Sequence, residues 1–321
     1  MRGSIDFKGE NVIGIVIVNY NTWEITRECV ESIRSTCQEP YTVYVVDNAS
    51  PNDSLKQLNS LYSDSCDVVV IPATRNGGYG PGLNLGLVRA KRDGCDAIIA
   101  SNNDIIYLEN SIAYLYAALK EHPEVAVVGA QQIGTDKRPQ GSDSKFYYSV
   151  PQLILWYMPF SHRLFKGTRS QVDSSLKLEP GQEVIAYPLG GCYMFDASFI
   201  DGDGPYDERI FMYGEEPVLG AKLREKGKLA LLEKSAVVIH KHHATTGFNM
   251  AMYHLRAAPS VYLYAKEYAR IGSFGLSIHK SLFYVLMVLK SVRSRQYREI
   301  FSELMHVQWK SSNASGAIRN A

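Results

Sequence analysis

The chain has 321 residues, with 34 Lys and Arg against 33 Asp and Glu and a net charge of +1, so it lacks the basic surplus that marks nucleic-acid binders. Its 45% hydrophobic content can fill a sizeable core, in one large domain or two modest ones. Five cysteines, odd in number and without a C-x-x-C pair, argue for a reducing compartment and against a zinc site. Met1-Arg2-Gly3-Ser4 resembles an expression-vector remnant, and residues 1–10 are set aside as a leader. The N-terminus has no apolar h-region, which argues against a signal peptide. The longest apolar stretch, Leu282 to Leu289, is too short to span a bilayer, which takes about 20 residues. A cytosolic protein is expected.

In chain order, Val12 to Val18 is a nearly continuous β-branched run, the mark of a strand buried on both faces. Trp23 to Thr36 has apolar residues at helical spacing. Tyr41 to Val46 reads as a second strand, Leu55 to Leu61 as a helix and Val68 to Ile71 as a third strand. A flexible glycine-rich loop, Arg75 to Gly80, precedes a helix over Leu83 to Lys91. The short apolar run Ala97 to Ala100 reads as a buried parallel strand, followed by a helix over Ser111 to Glu121 and a strand near Val125 to Val128. Strands and helices alternating in this way predict a doubly wound parallel sheet. Residues 134–181 break the pattern and read as a functional loop region. Structure resumes over Ile185 to Leu189 and through Gly190 to Phe195. A helix from Pro217 to Lys226, strands over Leu229 to Leu232 and Ala236 to Ile239, and a largely helical segment from Asn249 to about Gln308 complete the chain.

Chemistry-bearing residues collect where strands end. Asn102-Asn103-Asp104 follows Ala97–Ala100, and in open α/β sheets the ligand crevice lies at the carboxyl ends of such strands. A hard carboxylate among amide oxygens suits Mg²⁺ or Mn²⁺, although Asn and Asp also end strands by making turns. Tyr20 can border a nucleobase, and Asp47 and Asn48 can hydrogen-bond base or ribose edges; Asn19 to Asn21 equally suits a helix cap and Asp47 to Ser50 a turn. Asn76-Gly77-Gly78-Tyr79-Gly80 offers close backbone approach before a helix start, where anions are favoured, but matches no standard phosphate-binding motif. Glu215 and Glu216, ahead of Pro217, sit at a helix N-terminus whose dipole favours an ionised carboxylate able to act as a general base. His240-Lys241-His242-His243 after a strand can ligate a metal or meet diphosphate.

In order, Ile17–Asn21, Val45–Ser50, Asn76–Gly80, Asn102–Asp104, Gly190–Phe195, Asp207–Glu216 and His240 resemble the inverting family 2 glycosyltransferases, most of all the rhamnosyltransferase-like branch of bacterial surface polysaccharide synthesis (O-antigen, capsule). The likeness covers about residues 12 to 245, with a weaker echo in Tyr253-His254-Leu255-Arg256. It implies the GT-A fold, an α/β Rossmann-like and mostly parallel sheet flanked by helices, with a C-terminal helical extension. It divides the chain into a catalytic domain over 11–250 and a helical region over 251–321. Within the first, the nucleotide-binding half covers about 11–130, the variable loop 134–181 and the acceptor half 185–250.

The resemblance implies that Val18, Tyr20, Asp47, Asn48, Asn76, Gly77, Asn102 and Asn103 hold the nucleotide-sugar, and that Asp104 and His240 serve a Mg²⁺ or Mn²⁺ on the diphosphate. Glu216 falls where the family places its catalytic base, with Glu215 as the alternative. The chain departs from the family pattern in carrying Asn102 for the first carboxylate of a D-x-D motif and glutamate for the usual aspartate at 216. The implied donor is a dTDP- or UDP-sugar, first dTDP-rhamnose and next a UDP-hexose or UDP-galactofuranose. The implied acceptor is a saccharide or lipid-linked saccharide. A catalytically inactive carbohydrate-binding or scaffolding relative is the rival from another class. A nucleotidyltransferase would want an N-terminal Gly-rich basic signature, which Asn19-Tyr20-Asn21 does not supply. At the C-terminus, apolar residues from Leu276 to Leu289 with Lys and Arg nearby read as a peripheral membrane surface at the inner face of the cell membrane, a homodimer contact or ordinary helix packing.

Overall fold

The structure is a computed structural model, described for residues 12–140, 145–158, 160–165, 170–172, 174–241 and 249–309. The expected leader, His242 and His243 lie outside the described residues. Strands β1 (Ile13–Asn19), β2 (Tyr41–Asp47), β3 (Val68–Pro72) and β4 (Ala97–Asn102) run parallel, joined through α1 (Trp23–Thr36), α2 (Ser54–Tyr62) and α3 (Tyr79–Arg92). Next come β5 (Ile105–Tyr107), α4 (Ser111–Glu121) and β6 (Val125–Ile133). In the loop region, the two-residue strands β7 (Phe146–Tyr147) and β8 (Ser170–Gln171) pair with each other, with α5 (Val150–Ile154) and α6 (Ser161–Leu164) between them. After β9 (Gln182–Ile185) and β10 (Cys192–Asp196) come α7 (Glu215–Glu225) and β11 (Leu229–His240). The chain then turns helical: α8 (Met250–Leu263), α9 (Ser273–Arg293), α10 (Arg295–Glu299) and α11 (Phe301–Met305).

The sheet has nine strands in the order β3-β2-β1-β4-β10-β6-β11-β5, with β9 also on β11. Its two faces are both covered, which is why its strands read as unbroken apolar runs. Val30 and Ile33 of α1 and Leu115 of α4 pack with Ile15 and Ile17 on one face. Leu83 and Leu87 of α3 and Leu219 of α7 pack with Val16 on the other. Gly86 stands inside α3, where glycine costs about 1 kcal/mol against alanine. Space decides that residue: a Cβ there would lie 2.2 Å from Val16 Cγ1.

The sheet is mostly parallel, as expected, and is mixed where β10 runs antiparallel between β4 and β6. Two sequence expectations are corrected. Leu229–Leu232 and Ala236–Ile239 form a single strand, interrupted by a register shift between Glu233 and Val237. The helix placed at Leu83 begins at Tyr79, so the end of the glycine segment is its first turn.

Register is what builds the site. Asn19 pairs with Asp47 and Val18 with Asn102, so the carboxyl ends of β1, β2 and β4 lie in a row at the point where strand order reverses. Because β10 is antiparallel, its leading Gly190-Gly191 arrives at the same edge, and the Asn102 N–H donates to the Gly191 carbonyl at 2.7 Å. β5 lies antiparallel to the end of β11 with Ile105 opposite His240, which places Asp104 beside His240.

Candidate active site

A cavity of about 540 Å³ opens between these strand ends, the start of α7, and helices α5 and α8. Asn102, Gly190, Glu215 and Glu216 line its polar side. Tyr148, Trp156, Tyr187 and Tyr264 line the other, with Tyr213 against Tyr253 at 4.9 Å between ring centres. Aromatic walls with a few convergent polar groups are the usual make-up of a small-molecule site. Residues of the expected loop, Tyr148, Leu153 and Trp156, are therefore part of its wall.

Glu215 and Glu216 are delivered by a bend in which Tyr213 (φ 66°) and Gly214 (φ 103°) both adopt left-handed backbone. Glu215 is buried and its Oε1 has no hydrogen-bond partner. Glu216 is partly exposed to the cavity. Burial raises both carboxyl pKa values, and the charge of Glu216 raises that of Glu215 further. The pair thus resists losing both protons. Glu216 also presses on β10's leading glycine: a Cβ on Gly190 would lie 2.1 Å from its Oε1.

The start of α3 holds this acidic segment in place. Asn84 donates to the Tyr206 carbonyl and accepts from its N–H, both at 3.1 Å, and the Tyr79 N–H donates to the Phe211 carbonyl at 3.0 Å. Gly78 has φ +103°, and a Cβ on it would lie 2.0 Å from the Phe211 carbonyl oxygen. Its close approach serves this contact between segments. Gly78→Ala is expected to destabilise the fold by about 3 kcal/mol or more, through backbone strain plus the clash, read by urea unfolding. An unchanged midpoint would contradict that role.

Asn102, Asp104 and His240 form a second polar group. His240 Nε2 lies 3.2 Å from Asp104 Oδ1 and 3.3 Å from Asn102 Nδ2. Its other nitrogen, Nδ1, faces Gln132 Oε1 at 2.8 Å. The Gln132 amide is itself oriented, since Nε2 donates to the Gly190 carbonyl at 2.9 Å. That network assigns the imidazole proton to Nδ1 and turns the Nε2 lone pair toward Asp104. An imidazole nitrogen and a carboxylate oxygen aimed at one point, with an outer amide fixing the ring, form a donor set that fits a divalent cation. Among the described residues no group of three or more His, Cys, Asp or Glu could hold a metal. The pair therefore resembles sites where one or two protein ligands share Mg²⁺ with substrate phosphates.

The remaining expected residues form a shelf along the strand ends. Asp47 is buried, accepting from Asn19 Nδ2 at 2.8 Å, Ser50 Oγ at 2.7 Å and Ser50 N at 3.0 Å. Asn103 donates to Thr22 and Thr26, fixing the start of α1. Tyr20 is 42% exposed beside them, and Val18 packs under Gly82. Asn48 is buried and donates to Asn76 Oδ1 at 3.1 Å and the Gly78 carbonyl at 2.9 Å; Gly77 is buried below. None of these lines the cavity.

Three residues were missed by sequence reasoning. Gln132 carried no signal, being an ordinary strand residue. Tyr79 was legible only as the ring inside the glycine segment. Its buried hydroxyl lacks a hydrogen-bond partner, and burial first, then negative charge including that of Glu216, Glu215 and Asp104, lifts its pKa well above the phenol range. Arg256 was legible only as the end of the weak C-terminal echo, with no role attached; it sits on the face of α8 that carries Tyr253, Ala257 and Ser260, and among the described residues its buried Nε has no hydrogen-bond partner.

A mostly parallel sheet with helices on both faces, a polar strand-end crevice and a carboxylate pair across it define a GT-A glycosyltransferase. The chain belongs to glycosyl transferase family 2, whose family model matches residues 14–176. It is 25% identical over 314 residues to the N-acetylglucosaminyl-diphospho-decaprenol L-rhamnosyltransferase of Mycobacterium tuberculosis, spanning 90% of this chain and 97% of that relative. Its likeness within the family is thus to a rhamnosyltransferase. GalNAc-T7, crystallised with UDP, GalNAc and Mn²⁺, shares the fold with a TM-score of 0.60 at 16% identity, over 90% of this chain and 58% of that one. The mannosyltransferase PcManGT from Pyrobaculum calidifontis, in complex with GDP-Man and Mn²⁺, gives 0.54 at 12% identity over 94% of this chain and 88% of that one.

Proposed function

We propose that the chain transfers L-rhamnose from dTDP-rhamnose to a saccharide carried on a lipid diphosphate, with inversion at the anomeric carbon, in cell-surface polysaccharide synthesis. The observation carrying this reading is the placement of Glu216 and Asn102 in one cavity, with Asp104 and His240 directly behind Asn102. The mycobacterial relative supports the choice of sugar and acceptor. Glu216 is the base: it is the less buried of the two carboxylates lining the cavity, and Glu215 is better kept as the neutral acid. Glu216 takes the proton from the acceptor hydroxyl, whose oxygen forms a bond to the anomeric carbon. The bond from that carbon to the nucleoside diphosphate breaks on the opposite face, leaving with its electron pair on the diphosphate. The strand-end shelf of Tyr20, Asp47, Asn48 and Asn103 holds the nucleoside, and Val18, Asn76 and Gly77 support it. Held by Asp104 and His240, a Mg²⁺ or Mn²⁺ would neutralise charge developing on the leaving diphosphate. Arg256 offers a guanidinium for a phosphate oxygen at the α8 side.

Transfer to a short-chain polyprenyl-diphospho-N-acetylglucosamine, tested with dTDP-rhamnose, UDP-galactofuranose and UDP-galactose, checks the reading. Product is expected from dTDP-rhamnose alone, and a chelator should lower it until Mn²⁺ is restored. Product from a UDP-sugar instead would replace the donor. Failure of every donor would favour the inactive relative.

A further inference from the structure

We propose that the outer face of α9 is a docking surface for an anionic phospholipid bilayer. α9 is 21 residues long and holds an 18-residue stretch with a mean hydropathy of 1.2, so by length and composition it passes as a membrane span, beyond the eight-residue run picked out in the sequence. Packing assigns it a different posture. One face, carrying Leu276, His279, Phe283 and Met287, is buried against the protein, and His279 Nδ1 meets the Leu153 carbonyl at 2.7 Å. The helix therefore cannot present lipid-facing residues all round. Its outer face is a stripe of exposed apolar side chains: Phe274 (82% exposed), Val285, Val288, Leu289 and Val292 (73%). Val285, Val288, Leu289 and Val292 follow the helical repeat and form one strip along the axis, with Phe274 on the same side beyond the exposed Ser277 and Ser281.

A second exposed apolar patch lies beyond α5, on the chain that packs against the buried face of α9. Tyr157 packs on His279 and Phe283 of α9, at 5.0 and 5.1 Å between ring centres. The residues just beyond it, Met158, Phe160 (72% exposed) and Leu164, again turn apolar side chains outward. Exposed apolar surface of this kind marks an interaction site.

Charge selects the occupant. From Tyr268 to Arg298 the sequence has six Lys and Arg and no acidic residue; Arg293 is exposed near the end of the strip, and Arg295 pairs with Glu299 just beyond. A second copy meeting this face across a two-fold axis would oppose cations to cations. An anionic headgroup layer complements both the apolar strip and the cations around it. The other side of α9 backs the cavity: Leu153 of α5 and Trp156 just after it line the wall, while Ile154 lies against Gly275 of α9. The bilayer would thus sit behind the wall of a site read as taking a lipid-linked acceptor, and only this functional meaning rests on the proposed function.

Co-sedimentation with vesicles tests the docking without any substrate. The full chain is expected to pellet with phosphatidylcholine vesicles containing phosphatidylglycerol and to stay largely in solution with phosphatidylcholine alone. Val288→Asp/Val292→Asp should weaken pelleting at least tenfold, and Arg293→Gln/Arg295→Gln by about an order of magnitude, more at low salt. Both pairs are exposed, and each variant should retain the wild-type urea midpoint. Absence of wild-type binding to the anionic vesicles would overturn the proposal. So would a solution dimer that Val288→Asp/Val292→Asp converts to monomer. A failed donor assay with intact pelleting would count against the proposed function and leave the docking surface standing.

Discussion

Glu216→Gln is expected to lower glycosyl transfer by roughly 10²–10⁴-fold, the usual contribution of a positioned general base, while leaving donor affinity near wild type. The substitution keeps the shape of the side chain and removes only its capacity to take a proton. Glu216 lines the cavity and touches none of the shelf formed by Asp47, Ser50 and Asn19, so binding at the shelf should not change. Glu215→Gln should cost far less. It removes a carboxyl that stays protonated while Glu216 ionises, so it takes no charge from beside the base. Both carboxyl pKa values are raised, by burial first, so in the wild type the rising limb of rate against pH should lie above the ordinary carboxylate range of about 4.3. In Glu215→Gln that limb should stay in place, because the charge of Glu216 raises Glu215 and the lost group is the one that ionises second. For stability, the folded state keeps protons that the unfolded chain has lost, so raising pH through this window should weaken the fold. A limb that moves to lower pH in Glu215→Gln would mean that Glu215 ionises ahead of Glu216.

Gly190→Ala is expected to act almost as strongly through geometry alone. The residue has no left-handed backbone to lose, and the added Cβ meets only the end of a flexible side chain, Glu216 Oε1 at 2.1 Å. Stability should hardly change, since the carboxylate can swing aside. Its displacement is another matter, because a 1 Å error in a reacting group can cost about 10²-fold in rate. The expected result is kcat lowered by about that factor with donor KM unchanged. A variant with wild-type kcat would show that Glu216 need not stand against Gly190 to work.

The sequence made the frame readable where local pattern and tertiary structure agree. α1 and α4 fall at their expected boundaries, since apolar spacing defines them and turns close them. The order of motifs implied one site for Asn102, Asp104, Glu216 and His240; the structure sets Asn102, Asp104 and His240 side by side, and Asn102 and Glu216 both line the cavity. What stayed hidden depends on contacts far apart in sequence. A strand's residues do not state its direction, so nothing in Gly190 to Phe195 showed that β10 runs antiparallel. β5 is three residues long, too short to show a period. The glycines before α3 suggested anion binding, yet Gly78 is required by the Phe211 carbonyl, more than a hundred residues away. Gln132 orients His240 and fixes Gly190 at once, a role visible only when three strands are assembled.

Release of nucleoside diphosphate from dTDP-rhamnose, titrated with Mn²⁺ in the wild type, Asp104→Asn and Glu216→Gln, tests most directly whether the two acidic centres serve one reaction. Asp104→Asn should need far more Mn²⁺ for half-maximal release and recover activity as the ion is raised. Glu216→Gln should respond to Mn²⁺ at wild-type concentrations yet remain slow at saturation. Equal, Mn²⁺-independent activity in all three proteins would contradict the account.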